Sequence, residues 1–307
     1  MDENIGAVCV NYDYYQGEDL YSDGDVEDEL LEIVKSVPQR EYNKEIFMRK
    51  SWPILYHLSD IRQNIINWFP FEKDAEVLEV GAGCGAITGA IAQNAGKVTA
   101  IDLSKRRSLI NAYRNKDKSN IEIYVGNFNV VAENLNKEYD YVTLIGVLEY
   151  AEAYIAEKNA DRVFLKKIRK LLKKQGKVII AIENQLGLKY FAGCKEDHLG
   201  QYFVGLEGYS DSNTVRTYSK NKLQELLVEC GFGKLQFYYP YPDYKLPNKI
   251  YSEQHLPQKG ELTNNLRNFD ADRMVLFDES KVFDTIIDAG LFPQFSNSFL
   301  IVAEKEV

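Results

Sequence analysis

The sequence predicts an α/β protein built on a doubly wound, mostly parallel sheet, and three observations predict it. Apolar runs of strand length alternate with helix-length segments between residues 76 and 182, the rhythm of strand–helix–strand units. One run, Val77-Leu78-Glu79-Val80, stops at the turn Gly81-Ala82-Gly83-Cys84-Gly85. A second, Val98-Thr99-Ala100-Ile101, stops at Asp102, twenty-one residues beyond Gly81.

In chain order, residues 1–50 form an arm rich in acid and tyrosine, with Tyr12, Tyr14, Tyr15 and Tyr21 among Asp and Gly. Such a composition suits a disordered segment or a lid over the site. A helix is expected over about 51–68, with Leu55, Leu58, Ile61, Ile65 and Ile66 on one side. Strands are expected at 76–80, 97–101, 121–125, 139–145 and 177–182, and helices at about 86–95, 105–115 and 160–174. In the last helix Phe164, Ile168, Leu171 and Leu172 share one face, so its lysines and arginines form the solvated face. Right-handed crossovers gather the C-terminal ends of parallel strands on one edge, where ligands bind. Glu79, Asp102, Asn127, Gly146 and Glu183 fall at or just beyond those ends.

An insert over 184–218 follows, then a helix at about 219–230 ending at Gly231, and a sixth strand at 235–239. The next good strand is 298–303. The organisation expected is therefore an arm (1–50), a core (51–239, with the insert 184–218), a second insert (240–297) and a last strand (298–307). A loop as long as the second insert should be structured or functional.

Bulk properties exclude some classes. A chain of 307 residues can bury a full core. No apolar run approaches the roughly 20 residues that cross a bilayer, and the acidic N-terminus is unlike a secretory signal. Cys9, Cys84, Cys194 and Cys230 show neither disulfide nor metal spacing, so a reducing, cytoplasmic setting is expected. The net charge of −9 is uneven: residues 1–34 hold eleven acids and no Lys or Arg, leaving the rest near neutral. Charge thus argues neither for nor against a nucleic-acid partner.

The glycine turn and the acid after the second strand suit an adenine-bearing cofactor, because glycine lets the backbone approach a ligand and an acid suits ribose hydroxyls. Gly81, Gly83 and Ala86 also satisfy a dinucleotide pattern, so an NAD-dependent oxidoreductase or epimerase is the alternative of another class. Glu79 decides between them. A carboxylate at the strand tip repels a pyrophosphate but accepts hydrogen bonds from an ammonium group. The set Glu79, Gly81-x-Gly83-x-Gly85 and Asp102 resembles motifs I and II of class I S-adenosylmethionine-dependent methyltransferases. That resemblance covers about 55–240 and implies a Rossmann-like, seven-stranded sheet with an antiparallel last strand. It implies that Glu79 holds the methionine end, Asp102 the ribose, and Asn127 and Phe128 the adenine. Gly81, Ala82, Gly83, Leu103, Gly146 and Val147 complete the expected cofactor contacts. Core packing is the competing role for Phe128, and a helix N-terminal acid is the competing role for Glu149. In Leu148-Glu149-Tyr150, Tyr150 stands where the family often has histidine, which rules out a histidine base there.

The inserts around Asn184-Gln185 and around Tyr239-Pro240-Tyr241-Pro242-Asp243 resemble those of bacterial methyltransferases found beside, or fused to, glycosyltransferases of cell-surface polysaccharide synthesis. This implies a sugar or glycan-precursor acceptor and a glycosyltransferase partner. RNA or another small metabolite is the alternative acceptor. The turn after the fourth strand lacks the Asn/Asp-Pro-Pro-aromatic pattern of amino methylation in DNA, and no Pro-Cys nucleophile for pyrimidine carbon occurs. Methylation of an alcohol needs a base. His198 is the first candidate, Glu183 and Asp243 the alternatives; His57 reads as packing. No His/Asp/Glu set has metal-ligand spacing, so no metal is expected.

Overall fold

A computed structural model describes residues 2–19, 22–155, 159–210, 215–265 and 271–306; Tyr21 lies outside them. The chain divides into two compact units, Met1–Leu144 with Leu171–Gly176, and Ile145–Lys170 with Lys177–Val307.

The first unit contains β1 (Asp2–Ile5), β2 (Val8–Tyr14), α1 (Val26–Ser36), α2 (Tyr42–Arg49), α3 (Trp52–Leu58), β3 (Glu76–Val80), α4 (Thr88–Asn94), β4 (Lys97–Asp102), α5 (Lys105–Arg114), β5 (Ile121–Gly126), α6 (Phe128–Asn134) and β6 (Tyr139–Ile145). Its strands lie in the order β1-β2-β5-β4-β3-β6. All neighbours are parallel except β1 on β2. The expected strands appear in place because their inward residues are apolar throughout: Val77, Leu78, Val98, Ala100, Ile121, Ile123, Val142 and Leu144 are buried.

The acidic arm is ordered over its described residues. Leu30, Ile33 and Val34 of α1 pack with Ile54, Leu58, Cys84 and Ile110. Glu27, fully buried, receives Arg107 Nε at 2.7 Å. Asp19 accepts the backbone N–H groups of Lys105 and Arg106 at 2.7 and 3.1 Å, satisfying free donors at the start of α5. The helix expected over 51–68 is interrupted. α3 ends at Leu58, and Ser59 Oγ accepts the Ile61 N–H to start a 3-10 turn over Asp60–Ile65. A serine that caps a new turn ends the old one.

The second unit contains α7 (Ala151–Tyr154), α8 (Ala160–Leu171), most of β7 (Leu172–Glu183), α9 (Leu188–Phe191), α10 (Lys220–Glu229), β8 (Phe232–Tyr241), β9 (Lys249–Ser252), α11 (Glu279–Asp288), α12 (Phe292–Phe295) and β10 (Ser298–Lys305). Its strands lie in the order β7-β10-β8-β9. β10 is antiparallel to both β7 and β8, as expected of the last strand. β7 starts at Leu172, inside the segment expected to be helix. The region 240–297 holds β9, α11 and α12, with Phe283 and Phe292 buried. The seven expected strands are present, and β1, β2 and β9 are additional.

Candidate active-site residues

In the first unit the ends of β3, β4 and β5 carry the glycine turn, Asp102 and Asn127. The turn is pinned at both sides. Gly81 and Ala82 donate their N–H groups to Ile101 O at 2.9 and 3.1 Å. Gly83 N–H donates to Asp102 Oδ2 at 2.7 Å, and Ser104 N–H to Asp102 Oδ1 at 2.9 Å. Gly83 has φ +52°, and a Cβ there would meet no atom within 4 Å, so open space lies beside the turn. At Gly85 a Cβ would sit 2.3 Å from Asn111 Oδ1, which fixes how closely α5 approaches. Burial raises the Asp102 pKa, and the backbone donors work against it. Each carboxylate oxygen has a further lone pair for a ribose hydroxyl.

Glu79 lies one residue from the end of β3 and is 4 % exposed. Burial pushes its pKa up to about 8, opposed by Thr88 and Arg62. Its Oε2 accepts no hydrogen bond from any described residue. Arg62, in the 3-10 turn, is also buried, and its Nε and Nη1 donate to no described acceptor. Its guanidinium stacks 3.7 Å from the Tyr56 ring centroid. A buried acceptor and buried donors of opposite charge, both unsatisfied, are costly unless a ligand completes them. An α-amino acid, with its ammonium and carboxylate, does so. The sequence alone does not single out Arg62, because its segment reads as the polar side of an amphipathic helix. Asn127 caps α6 through Oδ1, which accepts the Asn129 N–H at 2.9 Å, leaving its amide NH2 as the donating end. Phe128, next to Asn127, and Leu103, next to Asp102, are half-buried.

Gly146 and Val147 fall in the second unit. Gly146 has φ +70°, donates to Ala181 O at 2.9 Å, and a Cβ there would meet Tyr244 Oη at 2.8 Å.

The second unit also brings together residues far apart in sequence. Glu183, at the end of β7, and Glu149, in a 3-10 turn over Leu148–Tyr150, are 0 and 1 % exposed. His198 Nε2 lies 3.6 Å from Glu149 Oε1 and 3.7 Å from Glu183 Oε2. Its Nδ1–H donates to Glu196 Oε1 at 2.8 Å. Lys245 Nζ bridges Glu183 Oε1 (2.6 Å) and Asp197 Oδ1 (2.5 Å), while Lys189 Nζ meets Asp197 Oδ2 at 2.8 Å. Asp243 lies 3.7 Å from Lys189 and accepts the Lys245 N–H at 2.8 Å, so it serves this scaffold. Burial works against the His198 charge, but Glu183, Glu149 and Glu196 hold its pKa well above the usual value. Burial likewise opposes the Asp197 charge, yet Lys189 and Lys245 hold it well below the carboxylate range. Asn184 and Gln185, expected at the substrate, are bound to backbone: Asn184 Nδ2 to Gln294 O and Ser296 O, Gln185 Nε2 to Gly205 O. His57, expected to pack, is buried in the first unit against Asp23 at 2.9 Å.

Residues 78–178 match the methyltransferase-domain family. No curated protein matches the chain. Among solved structures, a SAM-dependent methyltransferase from Archaeoglobus fulgidus is similar at 15 % identity, over 83 % of this chain and 100 % of that one, with a TM-score of 0.50. A SAM-dependent methyltransferase from Thermotoga maritima matches at 14 % identity over 91 % and 100 %, with a TM-score of 0.45. The N-methyltransferase NodS from Bradyrhizobium japonicum matches at 12 % over 82 % and 94 %, at 0.43. At these identities the likeness is one of fold: an α/β, Rossmann-like sheet, mostly parallel, with an antiparallel last strand. Among the described residues no helix is long and apolar enough to cross a membrane.

Proposed function

We propose that this chain, an S-adenosylmethionine-dependent methyltransferase, methylates an oxygen of a sugar or glycan precursor. S-adenosylmethionine is its cofactor, and the first unit carries groups that fit it. Glu79 takes the ammonium, Arg62 the carboxylate of the methionine end, Asp102 the ribose hydroxyls, and Asn127 with Phe128 the adenine. Gly81, Ala82 and Gly83 allow the close approach, with Leu103 as a further contact. The observation that carries this assignment is the pair of buried side chains with unsatisfied polar atoms, Glu79 and Arg62. A dinucleotide offers a diphosphate, which Glu79 would repel.

The cofactor supplies an electrophilic methyl group on a sulfonium. An acceptor hydroxyl that takes this methyl group would have to give up its proton. Alignment provides most of the acceleration, and a base adds to it. The His198–Glu183–Glu149 group is the proton acceptor in this reading, and Asp243 positions Lys245. A proton shared among such close groups belongs to the set rather than to one member. Buried carboxylates also accept hydrogen bonds from the hydroxyls that sugars offer in abundance. A glycosyltransferase partner belongs with this acceptor class, and the four free cysteines fit a cytoplasmic setting.

The test is methyl transfer from labelled S-adenosylmethionine to nucleotide-sugars, free oligosaccharides and RNA in parallel. Product in the sugar series supports the proposal. Label found in RNA alone ends it while leaving the methyltransferase assignment intact.

A further inference from the structure

We propose that Glu149, Glu183 and His198 form a binding site for a first-row divalent transition cation. The spacing of these residues in sequence hides such a site, since the two glutamates stand 34 positions apart. The structure gathers one atom of each within 4.8 Å of the others.

The separations suit a shared ion better than a direct bond. At 3.6 and 3.7 Å, His198 Nε2 stands beyond an ordinary hydrogen bond to either glutamate. Two ligand atoms each about 2.1 Å from one cation, at an angle near 120°, stand about 3.6 Å apart. The ligand atoms are also prepared. Glu196 accepts the Nδ1–H of His198 at 2.8 Å, which turns Nε2 toward the glutamates. This carboxylate–histidine support recurs behind metal-bound imidazoles. Lys245 engages Glu183 through Oε1 and leaves Oε2 as the oxygen nearest His198.

Glu149 supplies the independent observation. It is 1 % exposed, and neither of its oxygens has a partner at hydrogen-bond distance; its ion-pair neighbour, His198 Nε2, stands at 3.6 Å. A buried carboxylate so placed needs a cation or a proton. Nearby charges leave room for the cation. Once an ion displaces the Nε2 proton of His198, five carboxylates (Glu149, Glu183, Glu196, Asp197 and Asp243) face two ammonium groups (Lys189 and Lys245), an excess of three negative charges. Two carboxylate oxygens and one imidazole nitrogen suit Mn2+, Fe2+ or Zn2+. Three protein ligands leave the remaining coordination open, as in catalytic sites.

The proposal goes beyond methyl transfer and is tested without cofactor or acceptor. Chelator-treated full-length protein is titrated with Mn2+, followed by loss of the free-ion EPR signal, and with Zn2+, followed by calorimetry. One equivalent should bind. The nearly isosteric Glu149→Gln and His198→Asn should each lower affinity at least tenfold, and Glu196→Gln about tenfold. His255→Ala should bind as the unaltered chain does. Far-UV circular dichroism and S-adenosylhomocysteine binding show that each variant is folded. The absence of saturable binding by the unaltered protein up to about 1 mM of either ion would overturn the proposal. So would unchanged affinity in folded Glu149→Gln, or loss of binding on replacing His255.

Discussion

The glycine corner of the first unit and the His198 cluster of the second are both buried and both charged, yet they follow opposite plans. In the corner, Glu79 and Arg62 leave hydrogen-bonding atoms unmet, while Asp102 and the Ile101 carbonyl hold the backbone. In the cluster most charges answer one another: Lys245 with Glu183 and Asp197, Lys189 with Asp197, His198 with Glu196. Unmet charge is a sign of a ligand; compensated charge is a sign of a scaffold. Glu149 is the member of the cluster that follows the corner's plan.

The largest effect expected tests the scaffold. Lys245→Met should destabilise the protein by about 3 kcal/mol in urea denaturation, because it leaves Glu183 and Asp197 buried without their counter-ion. A loss below half of that would mean the cluster is no more structural than the corner. Next comes Glu79→Gln, which should weaken S-adenosylhomocysteine binding about 100-fold by calorimetry, the worth of a charge-assisted bond in a buried site. Its Mn2+ affinity should stay unchanged. A parallel loss of both would erase the distinction drawn here. Asp102→Ala should weaken cofactor binding about tenfold and shift the thermal transition little. Unchanged binding would remove Asp102 from the ribose.

The smallest effect is a proton. Glu79 ionises near 8 when folded against 4.5 ordinarily. Between those values folding takes up a proton, so the free protein loses stability as pH rises through that window, and Glu79→Gln should flatten the loss. Pairing with an ammonium favours the charged carboxylate. Cofactor binding at pH 7 should therefore release close to one proton, read from calorimetry in buffers of different ionisation enthalpy. A buffer-independent enthalpy would show that Glu79 is already charged.

The corner was legible in the sequence because a strand, a turn and a second strand place its members within a short stretch, Glu79 to Asp102. The parallel strands were legible for the same reason: 76–80 and 139–145 are apolar runs with clear ends. Three kinds of feature were not. The β1–β2 hairpin is hidden because β1 turns three polar residues to solvent and shows no alternation. Arg62 is hidden because Ser59 breaks what reads as one helix, turning an apparently outer residue inward. The cluster was half visible. His198, Glu183 and Asp243 stood out as residue types, but only tertiary contacts add Glu149, Glu196 and the two lysines. The resemblance of the inserts implies that they face a sugar, whereas Tyr239 and Tyr241 are buried and Asn184 binds backbone.

The outermost strand of the first unit, β1, presents Asp2 and Glu3 to water, the first held by Asn11 and the second by Tyr12. A strand margin with unpaired amides invites another chain to add to it. Here two copies approaching side by side would bring negative charge against negative charge along a strand only four residues long. The same acidity that made the arm look unfolded acts as a colloidal guard, keeping crowded molecules from zipping together.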